Sequence, residues 1–252
     1  MFLFASLLGC AQLDQAKDVV DGLTNPLIFE GVALGVAPVA DDRVDLSGTD
    51  FDQSAAALIT LADAADVADI ANAPVTGADV SIVSDSGGRV HFADAGDGTY
   101  TADSEDGLTY DPGAPATVSM TAGGEESSVT LTLPPAPDPG LPANAPPNQP
   151  LAVNLNGQGF DNVLVVVLDG ATGAVTYDNR PDSIQDLYDL THGEGELAVQ
   201  IPGGAIPDES VYLVGVAGLV NADASQIENA NTALSAMMAG RLAFSVVSTM
   251  PQ

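Results

Sequence analysis

Strict alternation of apolar and polar residues between Pro74 and Leu133 is the feature that most constrains the fold of this chain. Five short segments carry an apolar residue at every second position: Val80/Ile82, Val90/Phe92, Tyr100/Ala102, Val118/Met120 and Val129/Leu131/Leu133. A period of two residues is typical of strands with one buried and one solvated face. Turns rich in Asp and Gly separate the segments, so the pattern predicts antiparallel strands packed as a β-sandwich.

Two phrases in this region resemble known sandwich families. Pro74-Val-Thr-Gly-Ala-Asp-Val80 and Gly96-Asp-Gly-Thr-Tyr100 are similar to phrases of bacterial immunoglobulin-like and carboxypeptidase-regulatory-like (transthyretin-type) domains, and the second phrase also occurs in filamin-type repeats. The resemblance covers about 60 residues and implies a fold rather than a function, since such modules serve as spacers, adhesins and binding domains. Unlike members with an inter-sheet disulfide, this region has neither Cys nor Trp.

The N-terminal residues resemble a bacterial lipoprotein signal. An apolar run ends in Gly9 and Cys10, the single cysteine of the chain. The resemblance implies that residues 1–9 are removed and that Cys10 is diacylated, and Ala11 in place of Asp at the next position implies the outer membrane. Residues 1–9 are too short to span a bilayer and lack a basic n-region, so we expect the true start to lie upstream.

The alternative is that residues 1–9 form a buried N-terminal strand and that Cys10 is a small hydrophobic residue. A lone cysteine forms no internal disulfide, and an exported chain would then carry a free thiol. Acylation accounts for this cysteine, so the sequence favours the lipoprotein interpretation and an exported protein that faces the periplasm or the cell surface.

The charge balance excludes whole classes of partner. The chain has 35 acidic and five basic residues, which gives a formal net charge of −30. Binding to nucleic acid and adhesion to anionic lipid both require clustered Lys and Arg, which this sequence lacks. Contact with a membrane therefore has to come from the acyl chains. The acidity itself has two candidate causes, adaptation to a salty medium and cation binding, and the even spread of the acids favours the first.

Composition divides the chain into five ranges. They are the signal remnant 1–9, a tether 10–24, a sandwich domain 25–133, a linker 134–150 and a second β-rich domain 151–250. The linker holds eight of the 17 prolines, and such a segment favours extended polyproline II geometry. We therefore place the boundary between two domains there.

The second domain has a different pattern. Val163–Leu168 is a continuous apolar run, which indicates a strand buried on both faces. Helices near 183–190 and 223–240 are available to cover its second face, the latter with an apolar stripe at helical spacing. The overall prediction is an all-β protein of two β-sandwich-like domains, the second with one or two packed helices.

Catalytic motifs are weak throughout. Ser84-Asp-Ser86-Gly-Gly88 is similar to the nucleophile phrase of trypsin-like proteases, but the nearby His91 lies on the next strand of a predicted hairpin and alternates outward. Two histidines in different predicted domains provide no zinc ligand set, and no phosphate-binding or dinucleotide-binding glycine motif is found. We predict no catalytic residue and no organic cofactor.

Calcium is the one ligand that the composition permits, because it prefers six to eight hard oxygen ligands. The candidate ligands are the carboxylates of two acidic loops: Asp94, Asp97, Asp103, Glu105, Asp106 and Asp111. They could converge on one ion if both loops emerged at the same end of the sandwich. Neither loop matches the Asp-x-Asp-x-Asp-Gly pattern, and Asp with Gly is also ordinary turn chemistry.

The sequence as a whole predicts a lipid-anchored, non-catalytic structural or binding module of the cell envelope, with an unidentified envelope or extracellular ligand as its partner. The alternative is a calcium-dependent adhesin or ligand-binding surface protein that uses the acidic loops. A hydrolase that uses paired carboxylates is a third hypothesis, although nothing in the sequence marks such a pair.

Overall fold

The computed structural model describes residues 27–38, 53–63, 73–85, 87–180, 190–191, 195–232 and 234–250, which form fifteen strands. In chain order they are β1 (Leu27–Val36), β2 (Ala55–Asp63), β3 (Asp79–Ser84), β4 (Arg89–His91), β5 (Ala93–Asp94), β6 (Thr99–Asp103), β7 (Pro115–Ala122), β8 (Glu125–Thr132), β9 (Leu151–Asn154), β10 (Asn162–Asp169), β11 (Val175–Asp178), β12 (Ala198–Ile201), β13 (Val211–Asn221), β14 (Ile227–Glu228) and β15 (Ala236–Ser248). The predicted all-β class is confirmed. Among the described residues, no helix has the length and apolar content needed to cross a membrane.

The described strands form three sheets. The largest has eight strands in the order β11-β10-β13-β15-β1-β2-β6-β5, the second has five in the order β14-β8-β7-β3-β4, and the third pairs β12 with β9. The smaller sheets cover the same face of the eight-stranded sheet, because Met237 and Val247 of β15 project to the same side of their strand and enter two different cores. The result is two sandwiches with a shared layer.

Each sandwich has its own core. The first core lies under the five-stranded sheet and includes Phe29, Ile59, Leu61, Val118, Met120, Val129 and Met237. The second core lies under the two-stranded sheet and includes Val153, Leu155, Val165, Val167, Ile201, Val214 and Val247. An outer cluster on the opposite face of the large sheet contains Leu164, Ala217, Leu219, Met238 and Leu242.

The long strand β15 joins the two cores. Its residues Ala236–Leu242 pair in parallel with Glu30–Val36 of β1, and its residues Met238–Ser248 pair antiparallel with β13. The eight-stranded sheet therefore crosses the predicted domain boundary at 134–150 and combines strands from the ranges 25–133 and 151–250. The boundary itself stays a prediction, but the two ranges share one hydrogen-bonded layer.

The alternating segments of the first range form the strands that the sequence predicts. In β7 and β8, buried residues alternate with partly or fully exposed ones, and Val118 is paired opposite Val129. The polar partners on the other face also pair, as in the hydrogen bond of 2.9 Å between the Thr117 and Thr130 hydroxyls. One apolar face toward the first core and one polar face toward solvent explain the alternation.

The continuous apolar run in β10 is buried along nearly its whole length, as predicted. Val163, Val165 and Val167 point into the second core, whereas Leu164 belongs to the outer cluster. A strand with apolar contacts on both sides has no polar positions to alternate, which is why its sequence shows no period.

The predicted helix at 223–240 is wrong. A single 3-10 turn at Ala224–Gln226 leads into β14, and β15 begins at Ala236. Asn229 adopts a positive φ of 54°, which interrupts any helix there. Met237 and Met238 are both buried because they point to opposite faces of β15, one into the first core and the other into the outer cluster. A strand that is buried on both faces cannot be distinguished from a helix by the spacing of its apolar residues, which is why this segment fitted a helical pattern.

Several predicted segments lie outside the described residues. These are the signal remnant 1–9, the tether 10–24 and residues 183–189 of the other predicted helix. Leu190, at the end of that helix, is helical and packs against the outer cluster.

The Pro-rich segment 134–150 is attached to the second sandwich. Pro134 and Pro137 are buried, and Leu141 and Ala145 pack against the second core. The amide of Ala145 donates to the carbonyl of Ser248 at the end of β15, with a distance of 2.9 Å. Prolines lack an N–H group, so they suit an edge position of this kind.

Glycines in the large sheet make room for aromatic rings. A Cβ atom on Gly218 of β13 would lie 2.6 Å from the ring of Phe160, and a Cβ atom on Gly35 of β1 would lie 2.4 Å from the ring of Tyr110. Aromatic rings that lie over strand glycines cover backbone that would otherwise be poorly packed. Both rings are thereby fixed against the centre of the sheet.

This packing predicts the effect of adding one methyl group. Gly218→Ala should lower the free energy of unfolding by roughly 1–3 kcal/mol, because the Phe160 ring has to move out of a packed position. Gly88→Ala is the matched control, since a Cβ atom there would meet no atom within 4 Å. Urea denaturation measures both variants. Equal stabilities of the two variants would contradict the close packing of Phe160 on Gly218.

Candidate functional site

One row of residues crosses the large sheet at the junction of the two cores. Arg241 of β15 is paired with Gly218 of β13 on one side and with Gly35 of β1 on the other. Arg241 has the same parity along β15 as Met237 and Val247, so its side chain projects from the face that carries both cores. With glycine on each side, the guanidinium is the one long side chain in the middle of this row.

Two aromatic rings flank this arginine. Tyr110 lies over Gly35 and Phe160 lies over Gly218. The guanidinium carbon of Arg241 is 6.0 Å from the centroid of the Tyr110 ring, a distance at the outer limit of a cation–π contact. Tyr110 also lines a small, mainly apolar pocket with Ala33, Ala55, Ile82, Leu108 and Leu133, among others.

The beginning of the Pro-rich segment bridges the two cores beside these rings. The Tyr110 hydroxyl donates to the carbonyl of Pro134 over 3.0 Å. Four residues later, the amide of Asp138 donates to Oε1 of Gln158, and Nε2 of Gln158 donates to the carbonyl of Asp138. Residues 134–138 are thus tied at one end to the first sandwich and at the other to the second.

Arg241 has no anionic partner in the described part of the chain. No described carboxylate forms an ion pair with it, and its Nε is buried without a hydrogen-bond acceptor. Burial raises the pKa of the Tyr110 phenol above its usual range, while the positive charge of Arg241 acts in the opposite direction. Tyr110 therefore stays neutral at physiological pH and does not neutralise the arginine.

Glu30 is a second unusual ionisable group. It lies on β1 between Ile28 and Val32 and is paired across the strands with Thr60 and Ala236. Its Oε2 is buried and has no hydrogen-bond partner among the described residues. Desolvation by burial raises the pKa of this carboxyl to about 8, so Glu30 is largely protonated at neutral pH.

The two acidic loops of the calcium hypothesis lie at opposite ends of β6. Asp94 ends β5 and Asp97 lies in the turn that leads from β5 into β6, whereas Asp103 ends β6 and Glu105 and Asp106 follow in a 3-10 turn. The five residues of β6 separate the loops by about 13 Å of extended chain. Asp111 follows further along, before β7, in the loop that leaves this 3-10 turn.

Most of these carboxylates accept hydrogen bonds from backbone amides. Asp94 accepts hydrogen bonds from the amides of Gly77 and Gly96 through its two oxygens. Asp97 accepts from Thr99, and Asp103 accepts from Glu105 as the N-cap of the 3-10 turn. The bonds from Gly96, Thr99 and Glu105 are Asx-turn and capping interactions, the ordinary use of aspartate in loops, whereas the bond from Gly77 joins Asp94 to the loop before β3.

The structure does not bring the six acidic residues together. In the described ranges, no group of three or more His, Cys, Asp or Glu side chains is placed to hold a metal ion. The calcium hypothesis therefore stays a prediction from composition, without a ligand set in this geometry.

His91 forms a different pair from the one that a serine nucleophile would need. Its Nδ1 lies 2.8 Å from Oδ1 of Asp79 on the neighbouring strand β3, and both side chains are exposed. Ser84 shares a hydrogen bond of 3.2 Å with Thr109. Ser86 and Cys10 lie outside the described residues.

No protein-family model matches the chain. No curated protein matches it either. Among solved structures, the crystal structure of chicken CNTN1 FN1-FN3 domains is similar at a TM-score of 0.22 and 8% sequence identity, over 78% of this chain and 62% of that chain. The match thus spans less than two thirds of that structure. The class of protein is defined by the packed sheets described above, which make it an all-β sandwich protein.

Sequence reasoning missed both Arg241 and Glu30. Each is a charged residue inside an otherwise apolar strand, in Leu-Ile-Phe-Glu30-Gly and in Met-Ala-Gly-Arg241-Leu-Ala-Phe. An isolated charge in a buried strand is costly, so the interruption itself was a usable signal. The expectation of a helix at 223–240 concealed the position of Arg241 in the sheet.

The raised pKa of Glu30 predicts a specific pH dependence of stability. The unfolded chain releases this proton near pH 4.5 and the folded chain near pH 8, so the folded state binds more protons between these values and loses stability as the pH rises. Glu30→Gln should remove this loss and stabilise the protein at pH 9 by roughly a few kcal/mol, at about 1.4 kcal/mol per pKa unit.

Thermal unfolding at pH 5, 7 and 9 measures this effect, with the exposed Glu125→Gln as the control for one lost negative charge. The stability difference between Glu30→Gln and the wild type should grow with pH, while that of the control stays nearly constant. Parallel pH profiles for both variants would refute the buried, protonated state of Glu30.

Proposed function

We propose that this chain is a lipid-anchored, non-catalytic module of the cell envelope that acts as a structural or binding unit. The observation that carries the proposal is the continuous eight-stranded sheet, whose strand β15 contributes Met237 to the first core and Val247 to the second. Two separate sandwiches on a flexible linker would move independently, whereas a shared sheet connects them into one body. Such a body suits a spacer or a platform that presents a surface at a fixed distance from its anchor.

The strand β15 is long enough to reach both cores. Its thirteen residues extend over about 40 Å at the rise of a β-strand. Residues 134–138 reinforce the junction, since their hydrogen bonds connect Tyr110 of the first sandwich with Gln158 of the second. A rigid spacer needs a junction of this kind.

The proposed anchor precedes the first strand of the large sheet in the sequence. Residues 11–26 separate Cys10 from Leu27, where β1 begins. We infer that diacylation of Cys10 holds the module at the outer membrane, facing the periplasm or the exterior. The net charge of −30 supports attachment by acyl chains rather than by basic residues, because anionic head groups repel such a surface.

A non-catalytic role is supported by the way the loop carboxylates are used. Asp94, Asp97 and Asp103 accept backbone N–H groups and shape turns at both ends of β6. Carboxylates that are engaged in this way contribute to the structure of the loops.

Intact mass spectrometry of the protein from its native membrane tests the anchor. We expect a mature species that begins at Cys10 and is heavier by a diacylglycerol group, with or without an additional N-acyl chain. Cys10→Ser should abolish both the added mass and the recovery in the membrane fraction, while it leaves the far-UV circular dichroism of the purified chain unchanged. Ala11→Ser is the matched control, because it alters the neighbouring position without removing the thiol.

An unmodified wild-type chain in the soluble fraction, with its N-terminal residues uncleaved, would overturn the lipid anchor. Protease treatment of whole cells then separates the two orientations. Loss of the protein on treatment supports a surface-exposed module, and protection supports a module that faces the periplasm.

A further inference from the structure

The turn between β9 and β10 contains the single Asn-Gly pair of the chain, Asn156 followed by Gly157. The amide of Gln158 donates to the carbonyl of Leu155 over 3.1 Å and closes the turn around these two residues. Gly157 has a φ of 81°, a left-handed conformation that glycine adopts without a steric cost. Both residues of the pair are exposed, and a Cβ atom on Gly157 would meet no atom within 4 Å. The pair is therefore open to water.

The side chain of Asn156 is not held in place, in contrast to other side chains that precede a glycine. Within the described ranges, the backbone amide of Asn156 donates to Oδ1 of Asn154, but no hydrogen bond involves its side chain. The described aspartates that precede a glycine all accept a backbone amide: Asp97, Asp106 and Asp169. Asn156 is thus the side chain with the most freedom to approach the backbone nitrogen that follows it.

We propose that Asn156 is a site of spontaneous deamidation through a cyclic succinimide. The backbone nitrogen of Gly157 loses its proton to hydroxide and bonds to Cγ of Asn156, the bond between Cγ and Nδ2 breaks, and ammonia leaves. Water then opens the five-membered ring at either carbonyl group and leaves aspartate or isoaspartate at this position. The reaction consumes one water molecule, releases one ammonia molecule and needs no oxidant, reductant or enzyme.

The local structure favours this reaction in three ways. Asparagine is among the thermally labile residues, and glycine has no side chain to obstruct the ring closure. The backbone N–H of Gly157 donates no hydrogen bond within the described ranges. The peptide unit between Asn156 and Gly157 has to rotate for the ring to close, and this rotation disturbs the turn but no core side chain, because neither residue belongs to a core cluster.

Deamidation here affects the junction of the two sandwiches. Isoaspartate inserts one methylene group into the main chain after Asn156 and replaces a neutral amide by a carboxylate. Two residues later, the Gln158 side chain forms the paired hydrogen bonds with the backbone of Asp138 that tie residues 134–138 to the second sandwich. A longer main chain before Gln158 displaces its side chain, so isoaspartate loosens this bridge. The turn thus limits how long the junction keeps its original structure after synthesis.

Mass spectrometry of the aged full chain locates the reaction. The chain is incubated at mildly alkaline pH and cleaved with an endoproteinase that cuts before aspartate, which yields the fragment 138–160 because the next aspartate is Asp161. We expect this fragment to gain about 1 Da at Asn156, as a hydroxyl group replaces an amino group. The aspartate product becomes cleavable before residue 156, and the isoaspartate product stays resistant. The other asparagines of the fragment precede no glycine and should keep their mass: Asn144, Asn148 and Asn154.

Two variants separate the longer main chain from the added charge. Asn156→Gln keeps an amide but would have to form a six-membered ring, so it should lose the gain in mass. Asn156→Glu supplies the carboxylate without lengthening the main chain. Hydrogen exchange of the Asp138 amide, which donates to Oε1 of Gln158, reports on the bridge. This amide should exchange faster in aged than in fresh wild type, whereas both aged variants should exchange it as fresh wild type does.

Three results would overturn the proposal. The first is an unchanged mass of the wild-type fragment after ageing. The second is equal conversion of Asn144, Asn148 and Asn154, which would indicate deamidation without a preferred site. The third is unchanged exchange of the Asp138 amide in converted protein, which would contradict the effect on the junction. The reaction occurs in the purified chain without a membrane, so its failure leaves the proposed lipid anchor untouched, and failure of the anchor leaves this site untouched.

Discussion

The structure depends on the hydrogen bonding of β15 along both of its edges. One edge pairs with the N-terminal strand β1 in parallel, and the other pairs with β13 in an antiparallel ladder. Parallel pairing requires a long connection between the two strands, and here that connection is most of the chain. The first core thus closes only when the C-terminal strand is in place, which makes the two sandwiches interdependent despite their separate apolar cores.

The remaining features follow from this shared layer. A strand that lies between two others and contacts residues on both faces has to be apolar along its length, and β10, β13 and the first half of β15 satisfy this requirement. Short strands occupy the sheet edges: β5 and β14 have two residues each, β4 has three and β11 has four. Short edges limit pairing with other chains, which matters for a protein with so much β-structure. The acidic surface adds repulsion between copies.

How far the sequence predicts this fold depends on how much of each strand is exposed. The strands from Val80 to Leu133 were predictable because one face of each contacts water, which produces the alternation of polar and apolar residues in the sequence. Val163–Leu168 was predictable as a strand because its run is short and continuous. The strand at the end of the region 223–240 was not predictable, since a strand with apolar residues on both faces has the same apolar spacing as a buried helix. The register of β1 against β15 was not predictable either, because it depends on contacts between residues far apart in the chain. Arg241 and Glu30 were missed for the same reason, because the burial and the neighbours of their side chains are set by adjacent strands that are distant in the sequence.

Native-state hydrogen exchange tests most directly whether both cores share one cooperative sheet. Met237 and Val247 lie on β15 in the first and second cores, respectively. We expect the slowly exchanging amides at both ends of β15 to open in the same event, with equal opening free energies and equal dependence on denaturant. Two distinct opening events, one for each sandwich with its own denaturant dependence, would contradict it.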